Sequence, residues 1–566
     1  MNTIDRRTFL AGALGAAGAA ALGGCSSSSP SSPSSRPTAT ATGTGQAAAR
    51  PTLQLAGGDS GFPSPFAYMR GGGYVQMSYL YDTLLWKDSE DEQLPWLAES
   101  FEASADGLTY TFELREGVRW HDGVPLTAED VAFSYEYYAA QKLSPQVIVQ
   151  PVTTIAEVTA TGPTTVVFRL SSPTATFLQF GGAGAVPIVP KHIWSGVSDS
   201  AKVSDLAMLV GSGPYRLESY SPGEGSYLYT ANDDYFLGRP FVARIENRPV
   251  GEQQGAELTA LMTGDLAAAG AGGVRPDVLK PFQNDDTFEI LEFPPGSSLN
   301  ALYWNLAKGG ALADVKFRQA CAMAIDREDL VERLFGGNGT PGNPGFIPPE
   351  TPFHAEVEQY PFDLAAANAM LDEAGYPRAG GGTRTSPDGG PLSFELLISG
   401  MAPVVAVLVS ALQQIGVELK PSALDTPSFN QRVIKGETEM SLIGSGGLNS
   451  DLAPDYLRLV YNSKTKLTQH AQGYLNPQVD QLTEQQLRTL DVDERKQIVA
   501  EIQELVARDL PLLPLYYPGS ATIVKPEIFD AWYVTPGGVA GVIPTLNNKQ
   551  AFITGRKTGT EVRPSR

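Results

Sequence analysis

The side chains of this chain that are best suited to bind a metal or transfer a proton are its four histidines, His121, His192, His354 and His470. None of them has a second histidine or a cysteine three or four residues away, the spacing that a zinc site on a helix requires. The sequence also lacks the G-x-S-x-G, G-K-[ST], C-x-x-C and H-E-x-x-H motifs. It therefore predicts no metal site, no cofactor and no nucleophilic catalytic centre, so we expect a protein that is not an enzyme.

One glycine pattern has the spacing of a dinucleotide-phosphate loop: residues 337–342 read G-N-G-T-P-G. Such a loop holds phosphate only where it leads into a helix whose N-terminus points at the anion. Here more prolines and glycines follow, and Gly336 to Pro349 reads as a turn-rich surface loop.

The overall charge excludes another class of partner. The chain has 566 residues, with 62 Asp and Glu against 41 Lys and Arg, and a formal net charge of -21. A phosphate-rich polymer would be repelled, so we expect no nucleic-acid binding. The length predicts two to four domains or one large core with insertions.

The first 50 residues predict export and anchoring. Arg6 and Arg7 begin a twin-arginine signal, and an Ala/Gly-rich stretch ends in L-G-G-C at Cys25, the pattern of a lipoprotein cleavage site. We predict a signal peptide over 1–24, a lipid on Cys25 and a Ser/Pro/Thr linker over 25–50 that spans about 25–30 Å. A weak N-terminal membrane helix is the alternative, and no later segment is long enough to span a bilayer.

The elements that follow alternate between short strands and amphipathic helices, which predicts an α/β fold. Helices are predicted to begin after Thr127, Asp314 and Asp491, each a side chain able to cap the first turn. Cys321 lies on the apolar face of the second of these helices and is predicted to be buried. Strands are predicted over 109–114 and 166–170.

A series of ordered motifs covers most of the body. They read YDTLLW (81–86), LAESF (97–101), DGLTYTF (106–112), LREGVRWHDG (114–123), LTAEDV (126–131), GSGPY (211–215), NDDYFLGRP (232–240), YWN (303–305), DVKFRQA (314–320), AIDRE (324–328) and LPLLPLY (510–516). In this order they closely resemble the extracellular solute-binding proteins of peptide- and nickel-type ABC importers, family 5. The resemblance extends from about residue 53 to 535.

The resemblance implies a two-lobed, periplasmic-binding-protein-like α/β fold of type II, the large class with an extra domain in the first lobe. Two strands would cross the hinge, and solute would be held between the lobes. Carried to this chain, the first lobe takes 51–80, 212–303 and 525–566, the extra domain 81–211, and the second lobe 304–524. The motif at 121–123 then lies in the extra domain and is expected to form a structural turn.

Ligand residues are carried over from the same family. Its peptide-binding members have a Trp and, three residues later, an Asp before a Pro; counted back from Pro454, this chain has Gly447 and Ser450 at those positions. Asp451 is displaced by one residue and could take the ammonium-binding role, with a solvated or helix-capping Asp as the alternative. The other residues predicted to line the site are Phe66, Tyr68, Tyr303, Trp304, Asn305, Gly446, Gly447 and Asn449. For the first five of these, hinge or core packing is the alternative.

The resemblance implies a lipid-anchored receptor on the outer face of the cytoplasmic membrane. It would be a monomer that captures a short peptide or similar polar solute and delivers it to the transmembrane subunits of an ABC permease. Nickel complexes, haem, opines and oligosaccharides are alternative ligands, because a fold does not determine its site. A sensor or adhesion protein without transport and an extracytoplasmic hydrolase are the alternative functions.

Overall fold

The computed structural model describes most of the chain from Arg50 onward. The described residues are 50–68, 72–87, 93–141, 152–179, 181–250, 254–274, 278–293, 298–399, 403–446, 448, 453–465, 467–468, 470–535 and 549–556. Arg50–Arg566 form one compact unit. The predicted signal peptide, Cys25, the linker up to residue 49, Gly447, Asn449 and Asp451 lie outside the described residues.

Strands and helices alternate along the described residues, as an α/β fold requires. The strands are β1 (Thr52–Ala56), β2 (Leu85–Lys87), β3 (Gln93–Pro95), β4 (Ala98–Ala103), β5 (Thr109–Leu114), β6 (Ile155–Ala160), β7 (Thr165–Leu170), β8 (Tyr215–Ser221), β9 (Ser226–Ala231), β10 (Arg244–Arg248), β11 (Ala268–Val274), β12 (Glu289–Phe293), β13 (Ser298–Trp304), β14 (Gly339–Pro341), β15 (Ser393–Ser399), β16 (Glu418–Leu424), β17 (Met440–Gly446), β18 (Leu512–Pro518) and β19 (Ser520–Val524). The helices are α1 (Gly72–Ser78), α2 (Ala128–Ala140), α3 (Lys191–Trp194), α4 (Gln254–Thr263), α5 (Gly310–Ala313), α6 (Val315–Met323), α7 (Arg327–Phe335), α8 (Leu364–Glu373), α9 (Val404–Gln414), α10 (Thr426–Ile434), α11 (Ala453–Tyr461), α12 (Pro477–Arg488), α13 (Val492–Asp509) and α14 (Lys549–Thr554).

The first large sheet has seven strands in the order β12-β19-β11-β1-β10-β9-β8. Its centre is parallel, because β1 pairs in parallel with both β10 and β11. β19 runs antiparallel to β11 and to β12, so β12 has the same direction as β1. The carboxyl ends of β1, β10, β11 and β12 therefore lie at one edge of the sheet.

The second large sheet has six strands in the order β14-β18-β13-β17-β15-β16. β15 pairs in parallel with β16 and with β17, whereas β13 is antiparallel to β17 and β18. Because Ser298 at the start of β13 pairs with Gly446 at the end of β17, the carboxyl ends of β15, β16 and β17 lie at the edge where β13 begins.

A smaller antiparallel sheet, β4-β5-β7-β6, forms the extra domain together with α2. Its alternating strands put Phe112 and Phe168 on one face, where both rings are fully buried. Tyr135 of α2 meets the Phe168 ring edge-on with 4.8 Å between centroids. The predicted strands at 109–114 and 166–170 are confirmed, the second starting one residue earlier.

The chain crosses between the two large sheets twice, from β12 to β13 and from β18 to β19. At the second crossing, Gly519 alone separates the two strands, and its N–H donates to the Asn338 carbonyl over 3.1 Å. A Cβ at residue 519 would lie 2.1 Å from Asn338 Oδ1. The Asn338 carbonyl oxygen would also lie 2.9 Å from this Cβ, so a larger residue at 519 would require a local shift at the crossing.

The sheets correct two of the expected domain limits. β13 pairs with β17 and β18, so residues 298–303 belong with the second sheet and not with the first lobe. β19 pairs with β11 and β12, so residues 520–524 belong with the first sheet and not with the second lobe. Both errors have one cause: a strand that enters or leaves a hinge carries no sequence signal for the sheet it joins.

Separate hydrophobic cores support the two halves. Two clusters of buried residues belong to the first sheet and the extra domain, and two others lie on the two faces of the second sheet. Among the described residues no cluster includes members from both halves. Because shared apolar packing is what normally makes neighbouring domains rigid, these halves are built to move relative to each other.

The predicted helix starts are confirmed. Asp314 Oδ1 accepts the Lys316 N–H over 2.9 Å at the start of α6, and Asp491 Oδ1 accepts the Glu494 N–H over 2.9 Å at the start of α13. At the start of α2 the third residue of the helix bonds back to the residue that precedes the helix: the Thr127 N–H donates to Asp130 Oδ2 over 2.9 Å. Each such cap stabilises its helix by about 1 kcal/mol. Cys321 is fully buried on α6, as predicted, and its burial raises the pKa of the thiol.

The H-D-G motif forms the expected structural turn. Gly123 has a φ of +89°, and Asp122 Oδ1 accepts the Val124 N–H over 3.1 Å. His121 Nε2 lies 3.0 Å from the Gly213 carbonyl, while its Nδ1 accepts the Gly211 N–H at 3.3 Å. These bonds join the extra domain to the G-S-G-P-Y segment that leads into β8.

The prediction of a surface loop from Gly336 to Pro349 is wrong for most of the segment, from residue 339 to residue 348. Residues 339–341 form β14, which pairs with β18, and residues 342–348 are all buried. Gly342 explains the difference, because a Cβ there would lie 2.1 Å from the Pro514 carbonyl oxygen. The glycines and prolines in this segment permit close packing against β18 and do not mark solvent exposure.

Candidate functional site

The two large sheets turn the same kind of edge toward the hinge. β12 ends at the first crossing, so the carboxyl ends of β1, β10 and β11 lie on that side of the first sheet. β13 begins there, so the carboxyl ends of β15 and β17 lie on that side of the second sheet. In open α/β sheets, ligands bind outside such carboxyl ends.

The second sheet also has a reversal of strand order at this edge. From β15 the chain passes through α9 to β16 on one side, then returns through α10 to β17 on the other side. The buried residues of α9 belong to one core cluster, and those of α10 and α11 belong to the cluster on the opposite face. The connections therefore diverge between β15 and β17, which leaves a crevice there.

A cavity of about 240 Å³ lies in this crevice. It is lined by Asn300, Ile398, Ser399, Thr426, Phe429, Asn430, Leu442, Ile443, Gly444 and Thr468. The hydroxyls of Ser399 and Thr426 are 2.9 Å apart, which links the end of β15 to the first residue of α10. The described lining contains amides, hydroxyls, aliphatic groups and the ring of Phe429 but no ionisable side chain, so it suits a neutral or amide-rich solute that forms hydrogen bonds.

Larger grooves exist elsewhere, which shows why volume alone does not select the site. Grooves of about 450 Å³ and 530 Å³ meet at Gly473, near Asn305. Asn305 follows the carboxyl end of β13, which lies at the edge of the second sheet away from the hinge. These grooves therefore lie at the edge of the second sheet that is away from the first lobe. The crevice lies at the edge that faces the first lobe.

The first sheet contributes a polar cluster directly after β1. Asp59 Oδ1 accepts hydrogen bonds from Tyr220 Oη over 2.7 Å and from the Gly61 N–H over 3.0 Å. Tyr227 Oη donates to the Gly61 carbonyl at 2.8 Å and accepts the Ser60 N–H at 2.8 Å. Desolvation, together with the bond to Asp59 and its charge, raises the pKa of Tyr220 to about 12. Asp59 is exposed, so a carboxylate stands at the edge of the first sheet that faces the hinge.

Phe66 and Tyr68 were predicted to contact solute, but both are used in packing. Phe66 has no exposed surface and lies against Tyr138 and Trp194, with ring centroids 5.0 and 4.7 Å away. Tyr68 is 2% exposed and meets Tyr74 edge-on at 5.8 Å. Phe66 has no surface accessible to water and packs in the core, which is the alternative given for it above.

Tyr303, Trp304 and Asn305 also pack within the second lobe, and the direction of β13 explains their position. β13 begins at the hinge, so its last residues lie at the far edge of the sheet. Trp304 has no exposed surface, and Tyr303 is 3% exposed in the cluster on the other face. Asn305 Nδ2 donates to the Gly436 and Thr438 carbonyls, and its Oδ1 accepts the Ala307 N–H, which makes it a capping residue.

The residue of β13 that does line the crevice is Asn300, near the beginning of the strand. Sequence reasoning missed it, together with Ser399, Thr426 and Asn430, because their role depends on strand order. Gly446 lies at the carboxyl end of β17, opposite Ser298. Gly447, Asn449 and Asp451 follow outside the described residues, so their assignments stay predictions.

In the described part of the chain, no group of three or more His, Cys, Asp or Glu side chains could hold a metal ion. Burial lowers the pKa of His121 to about 4, so its ring is neutral and serves the turn described above. No helix within the described ranges is long and apolar enough to span a bilayer.

The two halves have separate cores, are joined by two crossings, and each turns the carboxyl ends of its parallel strands toward the hinge. This is the architecture of a two-lobed binding protein. Residues 92–467 match the family described as bacterial extracellular solute-binding proteins, family 5 middle. The chain belongs to this family. Its members act as solute receptors of ABC importers outside the cytoplasmic membrane, and they are not a family of enzymes.

Relatives support this assignment over most of the chain. Protein XP55 of Streptomyces lividans is 30% identical over 464 residues, which cover 79% of this chain and 80% of that protein. A protein of Brucella ovis described as an ABC transporter peptide-binding protein is 28% identical over 418 residues, covering 72% of this chain and 75% of its own length. The structure of NikA from Brucella suis in complex with Fe(III)-EDTA has a TM-score of 0.74 at 22% identity, and the match covers 87% of this chain and 98% of NikA. The predicted family and the predicted type II fold are confirmed.

Proposed function

We propose that this receptor binds a short peptide or similar polar solute in the crevice between β15 and β17 and encloses it against the residues that follow β1. The observation that carries the proposal is the cavity at the point where strand order reverses, lined by Asn300, Ser399, Thr426 and Asn430. Amide and hydroxyl groups in a partly apolar pocket fix the orientation of a solute that has its own amide groups.

A charged group on the solute would need a partner of opposite charge from outside the described lining of the cavity. Asp451 is one candidate, since it lies in the sequence between β17 and α11. Asp59 on the opposite side is the other, since the described residues donate hydrogen bonds to its Oδ1 and leave Oδ2 available. A peptide ammonium would pair with either carboxylate.

The site can be tested before the solute is known. Native mass spectrometry of the protein purified from its own host should show bound solute and identify its mass. An Asn300→Leu variant should lose most of that bound mass, because it removes a polar group from the crevice. An Asn430→Leu variant should do the same, whereas an exposed control, Gln481→Leu on α12, should retain it. Undiminished solute in both crevice variants would refute this location.

We further propose that the chain is exported by the twin-arginine route and held on the membrane by a lipid on Cys25. The support is the sequence alone: the Arg6-Arg7 start, the L-G-G-C site and a linker with few charges. In this arrangement the receptor acts as a monomer without cofactor or catalysis and delivers solute to the permease subunits. A sensor without transport would share every feature of the site and differ only in lacking a cognate permease.

A further inference from the structure

Away from the hinge, described residues of the extra domain contact the second lobe. On the extra domain the contacts come from the turn at Gly107 and from the segment after β7; on the second lobe they come from α11, α12 and the residues following α12. We call this set the clasp, and it consists of Gly107, Ala175, Thr176, Asp455, Leu487 and Leu490.

The first bond of the clasp satisfies a helix terminus. Leu487 lies in the last turn of α12, where carbonyl groups have no donor within the helix. Its carbonyl accepts the Ala175 N–H over 2.8 Å. The extra domain therefore caps a helix of the second lobe. If the extra domain and the helix separated, the Ala175 N–H and the Leu487 carbonyl would be exposed to water.

The second bond uses a buried carboxylate. Asp455 is 7% exposed in the first turn of α11, and its Oδ2 accepts the hydroxyl of Thr176 over 3.0 Å. Within the second lobe, Gln486 Nε2 donates to Asp455 Oδ1 over 3.2 Å, and Arg495 Nη2 lies 3.8 Å from the same oxygen. Thr176 is thus the only one of these three partners that comes from the other half.

The third contact is steric. A Cβ at Gly107 would lie 2.4 Å from Leu490 Cδ1, so the leucine side chain rests directly on the glycine backbone. Gly107 has a φ of +65°, a conformation that favours glycine. Leu490 remains 42% exposed with this contact in place, so the second lobe buries only part of its side chain.

We propose that the clasp is a conformational lock that sets how much of the protein is closed in the absence of solute. Since no hydrophobic core spans the halves in the described part of the chain, two hydrogen bonds and one apolar contact are enough to shift this equilibrium. A hydrogen bond to a carboxylate, lost with little else disturbed, shifts such an equilibrium by about tenfold. The lock depends on neither the identity of the solute nor the location of the binding site, so it goes beyond the proposed function.

The test replaces Thr176 by Val, which keeps the shape and removes the hydroxyl. Thr176→Ser keeps the hydroxyl and is the rescue variant. Thr165→Val is the matched control, because its hydroxyl donates to Glu113 within the extra domain at 2.9 Å and does not reach the second lobe. All variants carry Cys25→Ser and cysteines for dyes at Glu102 and Gln481, which are exposed on β4 and α12.

Single-molecule energy transfer between the dyes, measured without solute, reports the ratio of open to closed molecules. We expect this ratio to rise about tenfold in Thr176→Val, to return to within about twofold of the parent in Thr176→Ser, and to stay unchanged in Thr165→Val. An unchanged ratio in Thr176→Val, or an equal rise in Thr165→Val, overturns the proposal.

A second measurement does not depend on dyes. The Ala175 amide bonds across the clasp, so its hydrogen exchange should be faster in Thr176→Val than in the parent, while exchange in β5 stays the same. If Thr176→Val does not fold, Leu490→Ala replaces it, since an exposed leucine can be truncated without harm to a core. Faster Ala175 exchange in that variant supports the lock, and unchanged exchange refutes it.

Discussion

The buried ion pair of the first lobe gives the sharpest stability prediction. Lys549 and Asp82 both have side chains with no exposed surface, and Nζ lies 2.7 Å from Asp82 Oδ1. The same ammonium donates to the carbonyls of Ser78 and Tyr81, each over 3.2 Å. The pair thus fastens α14, near the end of the chain, to the residues that open the extra domain.

The size of the effect follows from what Lys549→Met leaves behind. Removing one member of a buried pair costs about 3–5 kcal/mol, mainly because the other charge stays desolvated. Asp82 would retain three neutral donors, namely Trp96 Nε1 at 2.8 Å, Ser212 Oγ at 2.9 Å and Tyr235 Oη at 3.0 Å. These bonds place the expected loss at the lower end, about 3 kcal/mol.

Urea unfolding followed by tryptophan fluorescence measures this loss, because Trp86 and Trp96 lie 4.2 and 5.4 Å from Nζ. The double variant Asp82→Asn/Lys549→Met removes both charges and should recover much of the stability. Lys202→Met is the control: its ion pair with Asp199 is on the surface and should leave the transition unmoved. A loss below about 1 kcal/mol in Lys549→Met, or no recovery in the double variant, would show that the pair does not behave as a desolvated one.

Three further predictions use other parts of the chain. Cys25→Ser should release the protein from membranes without a change in Tm, because residue 25 precedes the folded unit; sedimentation with membranes after the change would contradict the anchor. Asp451→Asn should weaken solute binding about 30- to 5,000-fold in calorimetry if that carboxylate is the enclosed charge partner, and a loss below about tenfold would favour Asp59, to be tested as Asp59→Asn, or a neutral solute. Acid should destabilise the extra domain, because the pKa of His121 is lowered to about 4 from 6.5: between these pH values the unfolded chain binds a proton and the folded chain does not, so stability present above pH 6.5 falls by up to about 3 kcal/mol as the pH approaches 4. A His121→Asn variant should lose this part of the pH dependence in urea titrations, and an unchanged pH profile in it would assign the effect to another group.

Local signals in the sequence predicted local structure well. The caps at Thr127, Asp314 and Asp491 were visible because a cap depends on neighbours within three residues. The H-D-G turn was visible for the same reason, and the fold as a whole followed from a long series of ordered motifs. What these signals share is that they do not require knowledge of which strands pair.

The site was not predictable in this way. Tyr303 and Trp304 look like binding residues because they are aromatic and belong to a family motif, yet β13 carries them away from the hinge. Asn300 has no distinguishing pattern and lines the crevice because β13 begins at the crossing. The family motifs here form the scaffold, whereas the residues that line the crevice are determined by the order of strands in the sheet, which local sequence patterns do not specify.

The position of α14 has a consequence for the order in which the protein is made. The second sheet is drawn entirely from residues 298–518, so all of its strands are available before synthesis ends. The first sheet needs β1 from the beginning of the body and β19 from near its end, and Lys549 must still reach Asp82. A ribosome-bound chain can therefore complete its later lobe while its earlier lobe waits for the last residues to emerge. A chain that ends at residue 518 would contain every strand of the second sheet but would lack β19, which pairs with β11 and β12, and Lys549, which pairs with Asp82.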